Sequence, residues 1–195
     1  MEVRYFDNSA TTKIKEEVLT EMFPYLSREY GNPSSLYSIG RKSKRAIEEA
    51  RRRVASLINC KPEEIYFTSC GSESDNTALK GIAYANQNKG KHIITSKIEH
   101  PAILNSCQNL ERKGFEITYL DVDKNGIVNL ETLKDSIRPD TILISIMFAN
   151  NEIGTIEPIE EISQIAHKNG IIFHTDAVQA CGNIPIDVQK SDIDM

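Results

Sequence analysis

The chain has 195 residues, with 23 Lys+Arg against 28 Asp+Glu and a formal net charge of −5. That length can bury one sizeable core, and the acidic balance excludes a general nucleic-acid or membrane-surface binder, which needs a basic excess. The 39% hydrophobic content is too high for disorder. The four cysteines, Cys60, Cys70, Cys107 and Cys181, have the spacing of neither a disulfide framework nor a zinc site. The start, Met1 to Asp7, lacks the apolar stretch of a signal peptide, and the longest apolar run, 142–149, is broken by Ser145 and too short for a bilayer. The expectation is a soluble, reduced, cytoplasmic protein.

In chain order, the first forty residues read as an irregular arm with one helix, and Gly31-Asn32-Pro33-Ser34-Ser35 lies inside it. Residues 39–59 place Ala46, Ile47, Ala50, Val54, Leu57 and Ile58 at helical spacing with charges between them. A short β-favouring run, 65–68, precedes a helix that carries Ala78, Leu79, Ile82 and Ala83 on one face. Residues 92–96 read as a strand, and Pro101 suits the first position of the next helix. A strand over 116–120, a short helix over 129–136 and the long apolar strand 141–148 follow. The helix at 159–169 opens after Pro158 with Glu160 and Glu161, carries His167 and Lys168 near its end and stops at Gly170; 171–175 is the next strand. Alternating strands and helices, several strands being continuously apolar, predict an α/β fold with a mostly parallel sheet covered by helices on both faces. Ser191 to Met195 reads as the beginning of another strand, so the chain is expected to be cut short inside a fold. The division expected is an N-terminal arm and helix over 1–40 and a large domain over 41–195.

Ligands of open parallel sheets sit at the carboxyl ends of the strands, and four such ends here are polar: Cys70-Gly71-Ser72, Glu99-His100, Asn150-Asn151-Glu152, and Asp176 with Gln179. Gly71 and Ser72 suit a phosphate held by free amides at a helix start, or else a plain N-cap in which Ser72 caps and Asp75 is its acidic partner. Asp176, just past an apolar strand, needs a cationic partner such as a protonated pyridine nitrogen, or it is a solvated loop residue. His100 can stack on a planar cofactor or move protons, or simply precede the helix-opening proline. His174 reads as a core residue or one supporting the site from behind. Asp121-x-Asp123-x-Asn125-Gly126 matches half of a calcium loop, but its twelfth position is Thr132, so a turn explains it better. The basic stretch 41–53 is interrupted by Glu48 and Glu49 and reads as a solvated helix face. No metal site is expected.

A set of ordered motifs runs from one end of the chain to the other: Tyr5-Phe-Asp-Asn-Ser-Ala-Thr-Thr12, Tyr30-Gly-Asn-Pro-Ser-Ser35, Phe67-Thr-Ser-Cys-Gly-Ser-Glu-Ser-Asp-Asn76, Glu99-His100, Asn150-Asn-Glu-Ile-Gly154 and His174-Thr-Asp-Ala-Val-Gln179. Together they resemble the N-terminal half of the cysteine desulfurases, the NifS/IscS group of the class V aminotransferases. The resemblance implies the large domain of a pyridoxal 5'-phosphate (PLP) enzyme of fold type I. It implies that Gly71 and Ser72 hold the cofactor phosphate, with Ser72 where many relatives have Thr. It implies that His100 stacks on the ring and shuttles protons, Asp176 pairs with the ring nitrogen, Gln179 bonds the ring hydroxyl, and Asn151 sits beside that hydroxyl and the substrate carboxylate.

The implied reaction removes sulfur from L-cysteine, giving L-alanine and an enzyme persulfide that feeds iron–sulfur cluster and thio-cofactor assembly. Its implied partners are a second copy in a homodimer and a sulfur-acceptor or scaffold protein. The family's cofactor-binding lysine follows the strand that Asp192 to Met195 begins, and its nucleophilic cysteine and substrate arginine lie further on. Lys97 and the four cysteines do not match those positions. The 195 residues alone are therefore expected to hold PLP non-covalently at best and to be inactive. A related class V activity (selenocysteine lyase or aminotransferase), or a non-catalytic dimerising fragment or half of a split enzyme, are the alternatives.

Overall fold

The computed structural model describes residues 4–195; Met1 to Val3, the first residues of the expected arm, lie outside the described residues. The chain divides into two compact units, one ending at Ile65 and one beginning at Tyr66. The first holds helix α1 (Glu16–Ser27), helix α2 (Ser38–Ile58) and a single 3-10 turn, Pro62–Glu64. Gly31 to Ser35 packs on the start of α2 so closely that a Cβ on Gly40 would lie 2.5 Å from the Asn32 carbonyl oxygen and 2.7 Å from that of Ser35. Glycine is required there for room rather than for backbone conformation. The unit's polar links include a Lys42–Glu29 ion pair and a bond from the Arg51 guanidinium to the Ile65 carbonyl.

The second unit carries helices α3 (Gly71–Asn86), α4 (Pro101–Glu111), α5 (Leu130–Asp135) and α6 (Ile159–Lys168) and strands β1 (His92–Ser96), β2 (Glu116–Leu120), β3 (Thr141–Ser145) and β4 (Ile172–His174). The sheet order is β2-β1-β3-β4, and all three pairings are parallel. Alternate side chains face opposite sides. Ile93, Leu143 and Ile172 pack with Leu79, Ala83, Ile103 and Leu110 beneath α3 and α4. Ile94, Ile144 and Phe173 pack with Leu133, Ile162 and Ala166 beneath α5 and α6. From β1 the chain steps outward to β2 by way of α4, then returns past β1 to β3 by way of α5. The reversal of direction moves the connecting helices to the other face, as right-handed crossovers require. The gap between the carboxyl ends of β1 and β3 is therefore the switch point where such sheets bind ligands.

His92 locks the opposite end of the sheet. It is fully buried, with Nδ1 2.7 Å from Thr141 Oγ1 and Nε2 2.8 Å from Thr118 Oγ1, so it spans three strands. β1 and β2 begin and end where the apolar patterning places them. β3 ends as a regular strand at Ser145, short of Phe148. Its ladder nonetheless continues, since the amides of Ile146 and Phe148 donate to the carbonyls of His174 (3.1 Å) and Asp176 (2.9 Å). Residues 65–68, read from sequence as strand, are extended coil with Tyr66 and Phe67 exposed; among the described residues they pair with no strand. Residues 194–195 run beside β4. Met195 donates to the Phe173 carbonyl at 3.2 Å and accepts from the Thr175 amide at 2.9 Å, the parallel pattern, so the expected strand start is present as backbone bonding. No helix among the described residues is long and apolar enough to cross a membrane.

Candidate functional site

The loops after Thr68, β1, β3 and β4 meet at the carboxyl edge of the second unit, and neighbours of the expected site residues make the joints. Glu99, 4% exposed, takes the Ser96 hydroxyl at 2.7 Å and the Met147 amide at 3.0 Å on Oε1, which ties the β1 loop to the end of β3. Asn150 donates to the Ile98 carbonyl at 3.0 Å while its side-chain oxygen accepts the amides of Glu152 (2.9 Å) and Ile153 (3.1 Å). That sharp turn sets Asn151 at the rim, half-buried, with Nδ2 3.3 Å from Glu152 Oε1.

The start of α3 faces the loop after β4. A Cβ on Gly71 would lie 2.9 Å from Val178 Cγ2, so the two loops approach closely there and a larger residue would have to displace the exposed Val178 side chain. The N-cap is Cys70, which makes no side-chain capping bond. The amides of Glu73 and Ser74 turn back to the Cys70 carbonyl at 3.1 and 3.2 Å. Those of Gly71 and Ser72, the first two helical residues, have no intrahelical carbonyl to donate to. The N-cap reading of Ser72 is corrected here: Ser72 lies inside the helix, exposed, and the reciprocal acidic contact is made by Glu73, which accepts both the amide and the hydroxyl of Ser69 at 2.6 Å. The capping signal in Ser69 to Asp75 fits several registers, and the tight turn through Ser69 selects the earlier one.

Asp176 is 8% exposed; its Oδ1 accepts the Val178 amide at 3.0 Å. Among the described residues no lysine or arginine makes an ion pair with it. Burial, then the charge of Asp176, pushes the Asp75 carboxyl up to about 7, and burial pushes that of Glu99 up to about 8. This end of the sheet therefore collects acidic groups that no lysine or arginine among the described residues pairs with. His100 is the N-cap of α4 and exposed, and its Nδ1 accepts the Ala102 amide at 3.1 Å. In the neutral ring this leaves the proton on Nε2, available to a ligand. Gln179 is half-buried on the same loop as Asp176, and its carbonyl accepts Asn183 Nδ2 at 3.0 Å.

The sequence-predicted residues thus share one edge, linked through Glu99, Asn150 and Val178 rather than by bonds to one another. Asp75 is the residue whose place at the site sequence reasoning missed. Its signal was an acidic side chain one helical turn after Gly71, on the same face of the helix. His174 is 5% exposed and its Nδ1 lies 2.9 Å from Ser145 Oγ, which fits its reading as a support from behind.

Residues 4–195 match the aminotransferase class-V family. Among curated proteins the chain is 61% identical over 191 residues to the cysteine desulfurase IscS of Methanosarcina thermophila, an alignment covering 98% of this chain and 47% of that one. It is 50% identical over 195 residues to the putative cysteine desulfurase IscS 1 of Bacillus subtilis, covering 100% of this chain and 52% of that one. Among solved structures it is similar to a NifS-like protein (TM-score 0.94, 43% identity, 97% of this chain and 53% of that one). A structure described as SspA in complex with cysteine gives a TM-score of 0.95 at 41% identity, over 98% of this chain and 55% of that one. The chain spans about half the length of the curated relatives it matches.

Proposed function

Because the chain belongs to the class-V aminotransferase family, we propose that it is the PLP-binding part of a cysteine desulfurase, the activity by which its relatives are named. The observation that carries the cofactor assignment is the pairing of unlike groups across one edge: helix-start amides at Gly71 and Ser72, and, across the Gly71–Val178 contact, a buried carboxylate with no cationic partner among the described residues. An anionic phosphate suits the first and a protonated ring nitrogen suits the second.

PLP, when bound, supplies an electron sink for breaking bonds at the substrate's amino-bearing carbon. In this reading the amides of Gly71 and Ser72 would bind the phosphate. Oδ2 of Asp176, unbonded among the described residues, would hold a proton at the ring nitrogen, because losing that proton would leave a buried carboxylate unpaired. His100 would lie against the ring and offer its Nε2 to move a proton. Gln179 and Asn151 would orient the ring hydroxyl, and Asn151 would also take the substrate carboxylate. The relatives' name points to L-cysteine as substrate, and the family to a homodimer passing sulfur to an acceptor protein. The expected large domain, 41–195, is the part that would carry these cofactor contacts.

The test is PLP binding by the 195-residue chain, followed by equilibrium dialysis. Saturable binding that inorganic phosphate competes away, and that Asp176→Ala weakens by roughly tenfold or more (about 1.4 kcal/mol), is expected. Binding that ignores both phosphate and Asp176→Ala would overturn the assignment.

A further inference from the structure

Beyond Ser145 the amides of Ile146 and Phe148 donate to the carbonyls of His174 and Asp176, on the β4 side. The Met147 amide, between them, points the other way, toward β1. β1 ends at Ser96, so no strand carbonyl remains there to receive it. Glu99 takes that place: its Oε1 accepts the Met147 amide at 3.0 Å and the Ser96 hydroxyl at 2.7 Å. A second bond runs in the opposite direction. Asn150, on the β3 side, donates from Nδ2 to the Ile98 carbonyl at 3.0 Å and also approaches Met147 Sδ at 3.4 Å. Its Oδ1 accepts the amides of Glu152 and Ile153, so both ends of the side chain are in use. Each loop thus sends one side chain to the backbone of the other.

The two loops share a further property. Glu99 and Asn150 are 4% and 7% exposed, and each directly precedes a residue that faces outward, exposed His100 and half-buried Asn151. We propose that Glu99 and Asn150 are paired positioning residues, a reciprocal brace that makes the loops bearing His100 and Asn151 one rigid unit beside the cofactor. The cofactor part rests on the PLP reading above; the brace does not. The bonds also define what the brace asks of Glu99. Both donors use Oε1, whereas Oε2 is buried with no partner among the described residues. An ionised group would leave a charged oxygen buried without a donor, while a carboxylic acid accepts at Oε1 as a carbonyl does. Burial acts in the same sense, pushing the group up to about 8. The brace therefore needs an acceptor at this position and no charge, which glutamine also supplies. Asn150 has no such substitute in aspartate, which keeps an oxygen for the turn but sets its other oxygen against the Ile98 carbonyl.

The experiment measures two quantities on the 195-residue chain: PLP affinity by equilibrium dialysis, and hydrogen exchange of the Met147 amide by NMR. Glu99→Gln should leave both within about twofold of the parent. Asn150→Asp should weaken PLP binding roughly tenfold and, although Met147 donates to Glu99 and not to Asn150, speed exchange at Met147 roughly tenfold. Glu99→Leu should weaken PLP binding as much as Asn150→Asp does. The double variant, Glu99→Leu with Asn150→Asp, should lose no more than either alone, because one break already frees the loops. Losses that multiply in the double variant overturn the proposal. So does a Glu99→Gln variant that behaves like Glu99→Leu, or unchanged Met147 exchange in Asn150→Asp. If Glu99→Leu does not fold, Glu99→Gln and Asn150→Asp decide alone. A parent chain that binds no PLP at all counts against the cofactor reading, and Met147 exchange still decides the brace.

Discussion

The unit ending at Ile65 and the unit beginning at Tyr66 use apolar residues in different ways. No residue of α1 is buried, and Val18, Leu19, Met22, Phe23 and Leu26 are all exposed on it. The long α2 buries only Gly40, Ser43 and Ala55. In the second unit a five-residue strand such as β1 or β3 is buried along its whole length, because helices cover both faces of the sheet. Helical periodicity is present in both units, so periodicity reports which face of a helix is apolar and not whether anything covers it. Burial comes from a sheet that gives helices two faces to cover.

Core truncation should bring out this contrast most strongly. Leu143→Ala, at a fully buried position, is expected to cost about 2–5 kcal/mol. Leu26→Ala and Leu36→Ala, at positions 70% and 88% exposed, should stay within about 0.5 kcal/mol. Urea unfolding followed by circular dichroism measures all three, and equal losses would break the comparison. Gly40→Ala comes next. It is the place where the first unit is tightly packed, and the added Cβ meets backbone that cannot swing aside, so about 1–3 kcal/mol is expected. Limited proteolysis within 31–35 should accelerate in that variant; unchanged cleavage would show that the segment is not held by α2.

The smallest effect concerns α6. His167 lies 2.7 Å from Asp192 Oδ2 and 2.8 Å from Asp194 Oδ2. The bond to Asp194, then its charge and the contacts with Asp192, outweigh partial burial and raise the imidazole above 6.5. A raised folded value means that the clamp contributes fully below about pH 6.5 and is lost as pH rises through that raised value. The contribution is expected to be below about 1 kcal/mol. His167→Gln should flatten the fall of the urea midpoint between pH 6 and 8.5, and an unchanged slope would remove the clamp from the account.

Much of the second unit was legible because its strands are short β-branched runs with clear ends. His92 to Ser96 and Glu116 to Leu120 needed no knowledge of the rest of the chain. The run 65–68 has the same composition and does not become a strand, since strand formation depends on a pairing edge elsewhere in the molecule. The site divides in the same way. Asp176 and His100 announce themselves as polar residues at strand ends, a local signal. Asp75 does not, because what gives it a place at the site is a strand ninety-nine positions later, at His174. In sequence it resembles only an acidic residue near a helix start.

The short stretch beside β4 bears on which margins of the sheet are open to a further strand. An open strand edge is a template for further strands and for aggregation. Residues 194–195 already occupy the outer backbone groups of Phe173 and Thr175. Those groups of β4 are therefore closed to a further strand, and on the far side of the sheet β2 begins at exposed Glu116, ion-paired with Arg138. A charged gatekeeper guards one margin of the sheet and the chain's own backbone guards the other.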